Sequence, residues 1–116
     1  MTRQNDKAVL ERDVEVYFCS QLAQRGSGYA VKFADPARRG APDRLVLAPK
    51  GVAYFVEFKR PAGGRVSPHQ MSYAFRLQSL GFRVFLIHNR DRVDAFFKTF
   101  PLNVSPFLLT NYALYS

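Results

Sequence analysis

One cysteine, Cys19, is present among the 116 residues of the chain. A lone cysteine excludes an internal disulfide framework and a cysteine-rich zinc site, and it is typical of proteins from reducing compartments. The opening segment lacks the apolar core of a signal peptide, and no apolar run approaches the length of a membrane span. Internal repeats, low-complexity tracts and linkers are also absent from the sequence. We therefore expect a soluble, intracellular protein with a single domain over residues 1–116.

Acidic residues are scarce as well. Aspartate and glutamate together number 9, lysine and arginine number 17, and the formal net charge is +8. Such an excess suits a polyanionic partner, usually nucleic acid, although charge that serves only solubility is the plainer explanation. Apolar residues are plentiful: 47% of the chain is hydrophobic and 11 residues are phenylalanine, which favours a globular fold over disorder.

Hydrophobic periodicity and turn residues predict seven elements. They are a helix over Asp6–Arg25, strands over Tyr29–Ala34, Leu45–Ala48 and Val52–Phe58, a helix from Pro68 to about Leu80, a strand over Phe82–Ile87 and a helix from Asp91 to about Thr99. We expect an α/β fold in the order α-β-β-β-α-β-α, with a small mixed sheet flanked by helices. The crossover through the second helix predicts that the last strand runs parallel to the third.

The second and third strands form a predicted hairpin around a three-residue loop, Pro49-Lys50-Gly51, in which glycine supplies a left-handed conformation. If the strands pair directly across this loop, Asp43 lies opposite Glu57. Lys59 then points the same way as Glu57, because side chains alternate along a strand. A two-residue turn would shift the register by one and send the two carboxylates to opposite faces.

Opposed carboxylates repel each other unless a positive charge neutralises them. A hard divalent cation such as Mg²⁺ or Mn²⁺ does so through oxygen ligands. The plainer interpretation of Glu57 and Lys59 is a solvated ion pair, which is common and weak. Glu57 interrupts an apolar run that is expected to be buried, however, and burying a carboxylate is costly. We therefore predict that Asp43, Glu57 and Lys59 form a metal-dependent active site.

Residues outside the hairpin are candidates to complete this site. A glutamate of the first helix, either Glu11 or Glu15, is placed to point toward the sheet, although both are surface charges in the plainer interpretation. Gln70 in the first turn of the second helix is a candidate for contact with water or phosphate. Two basic loops flank the hairpin and are suited to grip a phosphate backbone. Their arginines are Arg38 and Arg39 before Asp43, and Arg60 and Arg65 after Lys59.

The series Pro42-Asp43, then a strand, then Glu57-Phe58-Lys59 resembles the PD-(D/E)xK nuclease superfamily. More narrowly, the sequence resembles the VRR-NUC family, the virus-type replication and repair nucleases. The matching segments are the glutamate of the first helix, KF at Lys32-Phe33, RRGAPDRLVL at Arg38–Leu47, FVEFKRPAG at Phe55–Gly63, SPHQ at Ser67–Gln70 and LGFRVFLI at Leu80–Ile87. They cover about Leu10 to Phe97 in the expected order, and the segment 98–116 lies outside them.

The resemblance implies a single nuclease domain with a restriction-endonuclease-like core that hydrolyses phosphodiester bonds with Mg²⁺ or Mn²⁺. The implied site residues are Asp43, Glu57 and the backbone carbonyl of Phe58 as metal ligands, Lys59 as the catalytic lysine, Gln70 as a supporting glutamine and Glu11 as the helix glutamate. Glu15, one turn away from Glu11, stays open as the alternative. Lys32 and the arginines of the two loops are expected to contact DNA.

Small members of the family are similar to Holliday-junction resolvases and act as dimers on branched DNA. The resemblance therefore implies a homodimeric, structure-selective endonuclease of DNA repair or recombination, in a cytoplasmic protein of viral or bacterial origin. One alternative is a non-catalytic nucleic-acid-binding module that uses the arginine loops. Another is a sequence-specific restriction-type enzyme, for which so small a domain has little surface for reading bases. The segment 98–116 is expected to pack on the core or on a dimer partner.

Overall fold

The structure is a computed structural model that describes residues 9–99. Its elements are α1 (Glu11–Arg25), β1 (Tyr29–Lys32), β2 (Arg44–Ala48), β3 (Val52–Phe58), α2 (Pro68–Ser79), β4 (Arg83–Ile87) and α3 (Arg90–Thr99). The predicted order α-β-β-β-α-β-α is confirmed. Within this part of the chain no helix is both long and apolar enough to cross a membrane. The expected packing of the segment 98–116 falls almost wholly outside the described residues.

The four strands form one sheet in the order β1-β2-β3-β4. β1, β2 and β3 pair in antiparallel fashion, whereas β4 pairs with β3 in parallel. The parallel pair is connected through α2, as a crossover requires. The predicted mixed sheet is therefore confirmed, with β3 and β2 in its centre and β4 beside β3.

The β2–β3 hairpin has the register that the sequence predicts. Its loop is a short 3₁₀ turn over Pro49–Gly51, in which Lys50 and Gly51 have φ values of 65° and 75°. Across this turn Ala48 pairs with Val52, and the ladder continues to Arg44 opposite Val56. The next pair in this register is Asp43 and Glu57.

The sheet separates two apolar cores. On one face, α1 and α3 contribute Val14, Phe18, Leu22, Val93 and Phe96, which pack with Val46, Tyr54, Val56, Phe58, Phe85 and Ile87. On the other face, α2 contributes Tyr73, Ala74 and Leu77, which pack with Phe55, Val84 and Leu86. Side chains alternate along β3, so Val56 and Phe58 face α1 whereas Phe55 and Glu57 face α2. The carboxylate of Glu57 therefore enters the α2 core.

The ends of several elements differ from the sequence-based prediction; β2 and α3, for example, each begin one residue earlier, at Arg44 and Arg90. α1 begins at Glu11 rather than Asp6, because Leu10 is extended and its N–H is accepted by the Asp13 carboxylate at 2.9 Å. Leu10 is consequently half exposed instead of joining the buried stripe of the helix. β1 ends at Lys32, two residues early, before the turn at Asp35 that Arg38 closes with a backbone hydrogen bond.

β4 begins one residue later than predicted. Phe82 stands outside the strand because its N–H donates to the carbonyl of Leu77, at the end of α2. Gly81, with a φ of 96°, makes the reversal that allows this bond.

Candidate active site

Glu57 lies at the end of β3 and is 4% exposed. Its Oε2 accepts a hydrogen bond from Gln70 Nε2 at 2.5 Å and lies 3.7 Å from Lys59 Nζ. Its Oε1 is buried and has no hydrogen-bond partner among residues 9–99. An unpaired oxygen on a buried carboxylate is costly, so this position suits a ligand that brings positive charge.

Gln70 is held in place by the start of α2. Its side-chain oxygen accepts from the N–H of Ser67 at 2.9 Å, and the Ser67 hydroxyl accepts from the N–H of Gln70 at 3.1 Å. This reciprocal capping leaves the amide nitrogen free to donate to Glu57. The same four-residue motif therefore starts the helix and fixes one oxygen of the carboxylate.

Asp43 precedes β2 and lies beside Glu57 in the hairpin register. Its Oδ2 accepts from the N–H of Phe58 at 2.7 Å, and its own carbonyl accepts from the N–H of Phe33 at 3.1 Å. The N–H and C=O of a strand residue point to the same side, so the carbonyl of Phe58 is directed toward the strand that follows Asp43. The aspartate is thus anchored on both sides, by Phe58 at the end of β3 and by Phe33 directly after β1.

The electrostatics of the two carboxylates reflect their burial. The pKa of Glu57 is raised to about 9, chiefly by burial and also by the charge of Asp43, and the Lys59 ammonium opposes both effects. The pKa of Asp43 is raised to about 6, chiefly by burial and also by repulsion from Glu11 and Glu15, while the hydrogen bond from Phe58 opposes the rise. Without a cation, the two groups resist carrying their negative charges together.

Lys59 follows β3 directly and is only 14% exposed along its side chain. Its N–H donates to the carbonyl of Ile87 at 3.1 Å and so extends the pairing of β3 with β4. This bond fixes the backbone from which the ammonium reaches back to Glu57. The structure therefore brings together the three residues of the predicted hairpin site.

The two glutamates of α1 have different environments. Glu15 Oε2 accepts from Arg44 Nε at 2.6 Å and lies 3.6 Å from Lys32 Nζ, so its charge is already paired. Glu11 makes no ion pair with any of the described residues, and its charge raises the pKa of both Asp43 and Glu57. Glu11 is the helix carboxylate whose field reaches both members of the pair.

The residues expected to contact DNA lie around this site but are not all equivalent. Arg38 and Arg39 are exposed on the loop before Asp43, and Arg60 and Arg65 are exposed on the loop after Lys59. Lys32 differs because its ammonium lies beside Glu15. Sequence reasoning did not anticipate this pairing, since the partners are 17 positions apart.

Gly40 is a structural requirement that sequence reasoning missed. It has a φ of 91°, and a Cβ built on it would lie 2.3 Å from the carbonyl oxygen of His69. Only glycine lets the arginine loop lie this close to the first turn of α2. The signal in the sequence is the glycine between the arginine pair and Pro42-Asp43, whose φ cannot be read from its neighbours.

The donor set fits a hard divalent cation. No group of three or more histidine, cysteine, aspartate or glutamate residues is close enough to hold a metal within residues 9–99. The site offers instead two adjacent carboxylates, one with a buried unpaired oxygen, and a neighbouring backbone carbonyl. Mg²⁺ commonly binds through one or two carboxylates and keeps several waters, so a pair is sufficient for it.

Comparisons with known proteins show which proteins this chain is similar to in sequence and in fold. No protein-family model matches the chain. The protein named "Putative nuclease p44" from Acyrthosiphon pisum secondary endosymbiont phage 1 is 39% identical over 85 residues, which span 73% of this chain and 89% of that protein. A solved structure described as a VRR_NUC domain is similar with a TM-score of 0.73 and 32% identity, over 80% of this chain and 99% of that one.

The chain belongs to the VRR-NUC family. The resemblance that the PD…ExK series and its flanking segments indicated is thereby confirmed, as is the α/β fold. Nearly the whole solved VRR_NUC domain is matched. The fold that carries Asp43, Glu57 and Lys59 here is therefore a VRR-NUC fold.

The close approach of Gly40 to α2 predicts a measurable asymmetry between two glycines. Gly81 has nearly the same φ, 96°, but outside its chain neighbours no atom lies within 4 Å of a Cβ built there. Gly81→Ala should therefore lower stability only through the backbone strain of an alanine at positive φ. We expect Gly40→Ala to lower the free energy of unfolding by about 1–3 kcal/mol more, because the loop must also move away from His69. Urea denaturation measures both variants, and equal losses would contradict the close approach.

The raised pKa of Glu57 predicts how stability depends on pH in the VRR-NUC domain without divalent metal. Between the ordinary pKa of 4.5 and the folded value of about 9, the unfolded chain has released this proton and the folded chain retains it. Stability should therefore fall as pH rises through this range. Glu57→Gln removes the titration and keeps an acceptor for Gln70. We expect the variant to be more stable than wild type in EDTA, by a margin that grows from pH 6 to pH 8. A margin independent of pH in denaturant unfolding would show that Glu57 is not buried as described.

Proposed function

We propose that this VRR-NUC protein is a metal-dependent endonuclease that hydrolyses phosphodiester bonds of DNA with Mg²⁺ or Mn²⁺. The observation that carries the proposal is the pair of adjacent carboxylates, the partly buried Asp43 and the buried Glu57, with the Lys59 ammonium 3.7 Å from Glu57. Such an arrangement destabilises the fold, so it is best explained by a ligand that uses it. The relative's name, a nuclease, and the family's fold support the same conclusion.

Asp43, Glu57 and the carbonyl of Phe58 would hold the cation. When bound, a divalent ion supplies charge neutralisation on the phosphoryl oxygens and lowers the pKa of a coordinated water. The protein contributes the orientation of the ligands. The N–H of Phe58 fixes Asp43, and Gln70 fixes the Oε2 of Glu57 while its Oε1 remains available.

Lys59 has the electrostatic role. Its ammonium is positioned beside Glu57 to orient the attacking water and to stabilise the charge that accumulates on the phosphate. Water attacks phosphorus directly, the phosphorus–oxygen bond to the leaving nucleotide breaks, and the leaving oxygen takes up a proton, so no covalent enzyme intermediate forms. Glu11 contributes a further negative charge on the side of the site formed by α1. Gln70 is a positioning residue, because it acts through Glu57.

The substrate we propose is branched DNA, including four-way junctions, in the cytoplasmic repair or recombination of DNA. The net charge of +8 and the arginines of the two loops suit a phosphate backbone. So small a domain has little surface left for base readout, which favours recognition of DNA shape over sequence. A homodimer with a two-fold axis would present two sites to the two strands that must be cut in a symmetric junction.

The alternative, a non-catalytic DNA-binding module, explains the arginines but not the carboxylates. Two acidic groups facing a phosphate backbone would weaken binding, and burying them costs stability. A binding module gains nothing from either. The carboxylate pair therefore favours the enzyme.

Removal of Asp43 or Lys59 should separate cleavage from binding. Asp43→Asn keeps the acceptor for Phe58 but loses the charge that holds the cation, and Lys59→Met keeps the length of the side chain. We expect each to reduce the rate of cleavage of a labelled junction by at least roughly 100-fold in Mg²⁺ or Mn²⁺. Binding of the same DNA in EDTA should be retained. Cleavage at the wild-type rate by both variants would refute the site assignment.

Besides Asp43 and Glu57, a glutamate of α1 is expected to be the third acidic residue of the site. Glu11 and Glu15 are the two candidates, and matched variants can distinguish them. Glu11→Gln should reduce the cleavage rate with little loss of stability, because Glu11 makes no ion pair among residues 9–99. Glu15→Gln should instead lower the free energy of unfolding by about 1–3 kcal/mol, because the partly buried Arg44 loses its charged partner and retains the carbonyl of Ala30. Single-turnover cleavage and urea denaturation of both variants distinguish the roles. The assignment is reversed if Glu15→Gln loses activity and Glu11→Gln keeps it.

A further inference from the structure

A basic cleft lies on α2 next to the candidate active site. It has a volume of about 280 Å³, several times the roughly 30 Å³ that one water occupies in the liquid, so it can admit a phosphate group with its hydration. We call it the α2 cleft. Its lining residues are Arg38, Arg39, His69, Ser72, Tyr73 and Arg76.

Two separate elements form the α2 cleft. Positions 69, 72, 73 and 76 are spaced by three and four residues, so they share one face of the helix. The arginine pair comes from the loop that Gly40 holds against the backbone of His69. The close approach at Gly40 therefore brings the guanidinium groups of the loop to the same surface as Arg76.

The positive charge of the α2 cleft is not used inside the domain. Arg38, Arg39 and Arg76 make no ion pair with any residue that the structure describes. The nearby carboxylate is Asp35, which accepts hydrogen bonds from the Tyr73 hydroxyl at 2.8 Å and from the N–H of Ala37 at 2.9 Å. One carboxylate faces three guanidinium groups, so the cleft retains a net positive charge suited to an anion.

We propose that the α2 cleft binds a backbone phosphate of the DNA strand that is cut, a few nucleotides away from the cleaved bond. This inference rests on the proposed nuclease function. Gln70, which touches Glu57, and His69, which lines the cleft, are consecutive in the chain, so the two sites adjoin. Arg76 lies six residues beyond Gln70, which is about 9 Å along the helix axis. This distance is short enough for one DNA strand to reach both the α2 cleft and the active site within a few nucleotides.

The chemistry of the lining supports a phosphate in particular. Guanidinium groups donate paired hydrogen bonds to phosphate oxygens, and the Ser72 hydroxyl and the His69 ring offer further donors. Nothing in the cleft presents an apolar platform on which a base would stack, apart from Tyr73, whose hydroxyl is bonded to Asp35. The α2 cleft is therefore suited to position the DNA backbone and not to distinguish one base sequence from another.

Binding of labelled four-way-junction DNA in EDTA, at a series of salt concentrations, tests this inference without requiring catalysis. Arg76→Gln removes one charge from an exposed helix position. Ser72→Glu, also exposed, adds a carboxylate four residues before Arg76, where it can pair with that arginine and stabilise the helix. The matched control is Arg25→Gln at the end of α1, next to Gly26, which lies beside the β2–β3 turn at the opposite end of the hairpin from Asp43.

We expect Arg76→Gln to weaken binding roughly tenfold and to reduce the slope of log K against log salt by about 1. Ser72→Glu should weaken binding at least as much, and Arg25→Gln should bind like wild type. At saturating DNA, Arg76→Gln should cleave at close to the wild-type rate, so its loss appears in KM.

The inference is overturned if both α2 variants fold, as judged by circular dichroism, and bind with the affinity and salt slope of the Arg25→Gln control. That result leaves the proposed function intact, provided that wild type cleaves the junction. Failure of the proposed function is a different outcome, in which wild type binds DNA but yields no metal-dependent product.

Discussion

The close placement of two carboxylates at one end of a hairpin, with Asp43 partly buried and Glu57 buried, is the constraint on which the arrangement of this domain depends. Asp43 and Glu57 lie in a region where even one ionised group is costly: burial raises the pKa of both, and the charge of Asp43 also raises the pKa of Glu57. The neighbouring elements are arranged to hold the pair nonetheless. The N–H of Phe58 anchors Asp43, the amide of Gln70 anchors Glu57, and the aromatic packing of Phe18 on Phe58 fixes the strand behind them.

The two acidic side chains form the site but lower the stability of the fold. A fold selected for stability alone would carry amides or apolar residues in place of the two acids. The surrounding structure compensates through ordinary packing, since the face of β3 opposite Glu57 is covered by the phenylalanine-rich core of α1 and α3. The rigid backbone on both sides explains how the pair remains together, because neither carboxylate can swing into solvent without breaking a backbone or side-chain hydrogen bond.

Much of this geometry could be predicted from sequence because it depends on short-range rules. A three-residue loop sets the hairpin register, and the period of two then decides which residues share a face. The motif Ser67-Pro68 gave the start of α2 for a similar local reason. The site residues Asp43, Glu57, Lys59 and Gln70 come together because these local rules apply to each of them.

What could not be predicted depends on contacts between distant segments. Glu11 and Glu15 differ because Arg44 forms a hydrogen-bonded ion pair with Glu15, which lies 29 positions away in the sequence. α1 starts later than predicted because the Asp13 carboxylate accepts from the N–H of Leu10. This capping bond holds Leu10 outside the helix, although its apolar side chain matches the helical periodicity. The α2 cleft depends on the approach of Gly40 to His69. This is a tertiary contact, and the glycine is the one feature of the sequence that indicates it.

The central claim is that Asp43 and Glu57 form a cation site, and thermal unfolding at pH 8 with and without Mn²⁺ tests it most directly. Binding to the folded state alone stabilises wild type, by about 2.7 kcal/mol when the ion is present at 100 times its Kd. The account predicts a rise in Tm for wild type and little or none for Asp43→Asn and Glu57→Gln. No rise in wild type, or an equal rise in all three proteins, would contradict it.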